Sequence, residues 1–103
     1  RSWFERLRVE RAWSVTVLEF RLHAARHPEL NARYAEHHSR VVDRLARIME
    51  LHGDVAAEDA RSGAIDAIAL ANGYALEHLA LPDEATEERF AAATTALQSR
   101  IRR

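Results

Sequence analysis

The sequence predicts an all-α protein, an antiparallel bundle of about four helices whose last two build an intermolecular four-helix bundle in a homodimer. Three observations point there. Apolar residues recur at three-and-four spacing, and no strand-like alternation survives along the chain. Only two prolines and three glycines punctuate the 103 residues, and most of them fall at helix breaks. The third helix is apolar around more of its circumference than the stripe of roughly 100° that one neighbouring layer covers.

The first helix runs from about Trp3 to Arg26 and stops before His27-Pro28, because proline disfavours the helical conformation of the residue preceding it. Pro28, with Glu29 beside it, opens the second helix, which reaches about His52 before Gly53 stops it. Leu30, Tyr34, His37 or His38, Val41, Leu45 and Ile48 form its amphipathic stripe. Asp54 is the expected N-cap of the third helix, and Glu58 and Asp59 favour its positive end. That helix extends to about Leu81, and Pro82-Asp83 turns the chain. Asp83 or Thr86 caps the fourth helix. Glu87 and Glu88 in its first turn, and Arg100, Arg102 and Arg103 in its last, complement the macrodipole.

On the third helix Ile65, Ile68, Ala69, Asn72, Leu76 and Leu79 share one face. Ala60, Ala64, Ala67, Ala71 and Ala75, ending at His78, make a second stripe beside it. The fourth helix carries a seam of Phe90, Ala93, Thr94, Leu97 and Ile101. Small residues let helix axes approach toward the lower end of the usual separation of about 8–10 Å. The expectation is that they meet a second copy across a two-fold axis, at Ile68, Ala71, Asn72, Ala75, His78, Phe90, Thr94, Leu97 and Ile101. Asn72 would fix the register there by an interhelix hydrogen bond.

In the first helix Thr16, Glu19 and His23 form a polar stripe between two apolar ones. Such a stripe either faces a cavity or is a solvated edge; burying Glu19 dry and unpaired costs several kcal/mol. The cavity reading makes Trp13, Thr16, Glu19, Phe20, His23 and Tyr34 the ligand contacts, apolar walls with a few polar groups.

Composition removes other classes. A net charge of −1 gives no electrostatic case for nucleic-acid binding by this chain alone. Without cysteine there are no disulfides or thiolate metal sites, which fits a reducing cytoplasm. No apolar run is long enough to span a membrane. No nucleophile and base stand at a catalytic spacing, so no enzyme and no cofactor are expected. Glu19 with His23, and His37 with His38, fall short of the three or four convergent ligands of a zinc site.

The run "DAIALANGYALEHLALPDEATEERFAAATTAL" resembles the end of the TetR/AcrR family of transcriptional regulators: an alanine- and leucine-rich helix, a proline-aspartate turn and a last amphipathic helix. "LEFRLHAARHPELNARYAEHHSRVVDRLARIM", with its His-Pro-Glu-Leu step, is similar to the same family. The resemblance implies an effector-binding domain that dimerises through its last two helices, as part of a repressor. Nothing here matches the family's N-terminal helix-turn-helix, so DNA contact would come only through a domain missing from residues 1–103. The opening Arg1-Ser2-Trp3, without an initiator methionine, is read as a fragment. The expected partners are a second copy and a small hydrophobic or amphipathic effector. A stand-alone helical interaction module without ligand is the alternative.

Overall fold

The computed structural model describes the backbone of residues 11–80 and 84–102, and the side chains of residues 14–80 and 86–102. Within them four helices follow one another: α1, Arg11–Ala25; α2, Pro28–His52; α3, Ala57–Ala80; and α4, Glu84–Ile101. No strand occurs among the described residues, only an isolated antiparallel bridge between Val55 and Arg102. The expected helical start at Trp3 and the Leu81-Pro82-Asp83 turn lie outside the described residues.

The breaks have local causes. Arg26 and His27 donate their amides back to the carbonyls of His23 and Ala24 at 3.1 and 3.0 Å, closing α1. His27 is extended, φ −127° and ψ 98°, as the residue before proline prefers, and its carbonyl accepts the Asn31 amide at 2.9 Å. α2 ends where the Gly53 amide reaches the Met49 carbonyl at 2.8 Å. A Cβ at Gly53 would stand 2.8 Å from that same oxygen, so glycine is required there for room.

Two expected caps are corrected. Asp54 does not cap α3 but takes the left-handed conformation, φ 53°, and the helix begins three residues later. Aspartate is among the few non-glycine residues that tolerate this region. Its turn lets Val55 enter the core, while the amides of Asp59 and Ala60 both bond to the Ala56 carbonyl at 3.0 Å. Thr86 is buried within the first turn of α4, which starts at Glu84, and so cannot be its N-cap.

Each helix packs antiparallel against its neighbours in sequence: α1 on α2, α2 on α3, α3 on α4. Between α3 and α4 the contacts run in opposite chain directions, Asp66 with Arg100 and Tyr74 with Phe90; Phe20 meets Tyr34 and Arg61 meets Asp43 across the other two pairs. The result is a slab of 38 × 37 × 19 Å with a radius of gyration of 14.9 Å. A compact domain of this length has about 13 Å.

The core sits where α2 and α3 cross. Val42 and Ala46 of α2 meet Ala60 and Ala64 of α3 beside Val55, with Leu45, Met49, Ile68 and Ile101 around them. The first part of the alanine stripe, expected at a subunit interface, is therefore an intrachain contact. Gly63 serves the same end: a Cβ there would stand 2.7 Å from Ile101 Cδ1 and 3.0 Å from Met49 Cε. Small side chains let α3 press closely on its neighbours, and Val42 is the largest fully buried side chain among the described residues.

Candidate functional site

Two concave surfaces share α3. The first lies between α1, α2 and α3 and has a volume of about 410 Å³. Its apolar wall is Tyr34, Ala35 and Val42 of α2 with Ile65 of α3. Its polar groups are Asn31, His38 and Ser39 of α2, Arg21 of α1 and Arg61 of α3. The Arg21 guanidinium lies 5.0 Å from the Tyr34 ring centre, a cation–π distance, and the His38 ring stacks on the Tyr34 ring with centres 6.1 Å apart. Arg61 is held in an ion pair with Asp43 and extends a second nitrogen to the Ser39 hydroxyl at 3.4 Å. No carboxylate lines this groove among the described residues.

The second surface, about 740 Å³, is an open channel between α3 and α4. Ala69 and Gly73 face Ala93 and Ala96 across it, with Leu70, Tyr74 and Leu97 in its floor. Arg100 donates to Asp66 at 2.6 Å at one end, and Glu77 stands toward the other. Elsewhere on α3 Leu76 is 50% exposed, a large apolar residue left in water by this chain.

The expected ligand contacts divide. Tyr34 lines the first groove and Phe20 meets it edge-on, ring centres 6.2 Å apart, at an exposed position. Thr16, Glu19 and His23 are not brought there: all three are exposed. The reason is the rotation of α1, whose covered side is Ser14, Leu18 and Ala24, leaving the polar stripe outward where Glu19 keeps its hydration. His23 packs instead on His27, ring centres 4.0 Å apart, with the His27 ring nitrogen 2.7 Å from the His23 carbonyl. The side chain of Trp13 lies outside the described residues.

The expected interface residues mostly close the α3–α4 hairpin on itself. His78 and Leu97 are buried, Ile68 and Ile101 pack on the core, and Phe90 meets Tyr74 with ring centres 5.7 Å apart. The Thr94 hydroxyl donates to the Phe90 carbonyl at 2.9 Å, and Ala71 and Ala75 are half-buried. Asn72 alone of the nine is exposed. Two adjacent helices must satisfy each other first, and that takes the seam centred on Phe90 and Leu97. The outward face is Ala69, Asn72, Gly73 and Leu76 of α3 with Ala91, Ala92, Thr95 and Ala96 of α4.

Arg21, Asn31, Ser39 and Arg61 were not legible as site residues, because arginine on an amphipathic helix reads as its wet face. A signal existed in the Pro28 turn. Counting outward from it in both directions sets Arg21 opposite Tyr34, which is how an antiparallel pair aligns. Among the described residues no group of three or more histidines and acids could hold a metal ion, and no helix is long and apolar enough to cross a membrane.

The whole chain, residues 1–103, matches the family model described as the Tetracyclin repressor-like, C-terminal domain. No curated protein and no solved structure matches it. With helices in this order and a family match from end to end, the chain belongs to the TetR-like transcription regulators, as one of their C-terminal domains.

Proposed function

We propose that the chain is the effector-sensing and dimerisation domain of a TetR-like repressor, whose operator-binding domain lies outside residues 1–103. The observation that carries this reading is that one helix walls both concave surfaces. Arg61 and Ile65 of α3 line the groove against α1 and α2, while Ala69, Gly73 and Glu77 line the channel against α4. A ligand in the first groove bears directly on the helix that meets the second subunit in the second.

In the proposed mechanism two copies pair α3 and α4 about a two-fold axis, with Leu76 and the alanines of α4 in contact. The effector wedges between α1 and α2 on one side and α3 on the other, and shifts α3 relative to its twin. DNA-binding heads must match half-sites about 34–36 Å apart, or a multiple, so a small shift releases the operator. The site of action is a bacterial cytoplasm.

Linkage supplies the test. A ligand that stabilises the folded chain does so by its differential affinity, and one coupled to self-association must change the dimer constant by the same factor that the dimer changes its affinity. A screen of small amphipathic molecules by melting shift should yield hits, and saturating amounts of a hit should move the dimer constant about fivefold or more. Hits that leave self-association untouched would separate the two surfaces and end this mechanism.

A further inference from the structure

Resting on that sensing reading, the geometry points to an amphipathic carboxylate as the effector of the groove between α1, α2 and α3. Two guanidinium groups enter the groove, from Arg21 and Arg61, and among the described residues no carboxylate lines it. Among the described residues Arg61 is matched by Asp43 just outside the lining, which leaves Arg21 as the groove's guanidinium without a carboxylate partner. One such charge suits a monoanion; a dianionic phosphate would remain half unmatched.

Donor geometry agrees. The Arg61 fork is already oriented by Asp43 and by Ser39, 3.4 Å from its second nitrogen, so little side-chain freedom is lost when it turns a further N–H to a ligand. Arg21 is steadied over the Tyr34 ring at 5.0 Å. The planar guanidinium matches the two oxygens of a carboxylate in a way an ammonium cannot. Asn31 adds an amide donor beside them.

The remainder of the groove is made for an apolar body. The Tyr34 ring, Ala35, Val42 and Ile65 form its walls, and about 410 Å³ lies at the small end of the range for ligand pockets, roughly 300–1,000 Å³. A medium-chain or aryl carboxylate would lay its tail against Ala35 and Ile65 and turn its head toward Arg21 and Arg61. A cationic amphiphile would meet repulsion from both.

Calorimetric titration of the full chain with decanoate, decanol and decyltrimethylammonium, each below its micelle concentration, tests this. Decanoate should bind at least about tenfold more tightly than the other two, as a charge-assisted contact predicts. Its affinity should fall with added salt while that of decanol does not. Arg21→Ala and Arg61→Ala should each weaken decanoate about tenfold and leave decanol unchanged. Asp43→Asn, which releases Arg61 from its in-chain partner, should tighten decanoate, a gain that loss of folding cannot imitate. If decanol or the ammonium binds as well as decanoate, the carboxylate assignment is overturned while the groove stands as a sensing site. If none of the three binds, both fall together.

Discussion

Gly73 lies in the interior of α3, facing the channel, and nothing stands within 4 Å of the position its Cβ would take. Glycine inside a helix costs about 1 kcal/mol relative to alanine, and nothing within the chain repays that cost. A second backbone approaching closely would. Gly73→Ala should therefore raise the unfolding free energy of the dilute chain by about 1 kcal/mol in urea titration, while weakening self-association. A variant that gains stability and dimerises as before would show that no helix comes close there. Gly63 is the contrasting case: its missing Cβ is filled by Ile101 and Met49 of the same chain, so its use is complete within the monomer. Val42 is the largest fully buried side chain among the described residues, packed with Ala46, Ala60 and Ala64. Val42→Ala removes two buried methyl groups and leaves a cavity, and should cost about 2 kcal/mol by the same titration.

Among the elements, α2 offers the most direct test of how a sequence break becomes a helix start. His27 occupies the N-cap position in extended conformation, yet its side chain makes no capping bond. An aspartate there would accept from the free amides of the first turn. His27→Asp should thus raise the melting temperature, equivalent to about 0.5–1 kcal/mol, less whatever the His27 contact with the His23 carbonyl contributes. An unchanged or lowered melting point would mean that the contact with His23 sets the turn. The order and approximate ends of the helices were legible in the sequence, because proline before a helix and glycine after one act through local sterics. Asp54 and Thr86 were not, since their roles depend on where Val55 and the α4 seam are buried. The same limit governed α1. Periodicity separates its stripes but does not say which one turns inward, so cavity and solvated edge both stand open for Glu19 and His23; packing leaves the two exposed, and Arg21 lines the groove. Tyr34 lines the groove, but its expected stripe on α2 does not turn inward as one: Val41 and Ile48 are exposed, and Val42 and Ala46 take the core.

At the scale of the whole molecule, the accessible surface is 7517 Å². A monomer of 11.7 kDa is expected to expose about 5,900 Å². The excess of about 1,600 Å² is twice what one partner contributes to a standard interface, roughly 800 Å². The flatness of the slab is the reason: helices in sequence order cover one another's flanks and leave two broad faces. Apolar residues remain on both, Leu76 and Ile65 on α3 and Val15, Val17, Phe20 and Leu22 on α1. An excess of that size is enough for the proposed second copy on α3 and α4. In the sequence, the expectation of a second copy rests on the apolar coverage of the third helix. Which of its two stripes the chain buries within itself could not be read there, because only packing decides it.

Sedimentation equilibrium of the chain and of Leu76→Glu tests this most directly. Leu76 is half exposed and remote from the core, so a carboxylate there leaves the monomer fold intact and places charge in the proposed contact. The account predicts a dimer for the unaltered chain at micromolar concentration and a folded, helical monomer for the variant. A chain that sediments at 11.7 kDa up to high micromolar concentration, or a variant that dimerises as well as its parent, would contradict it.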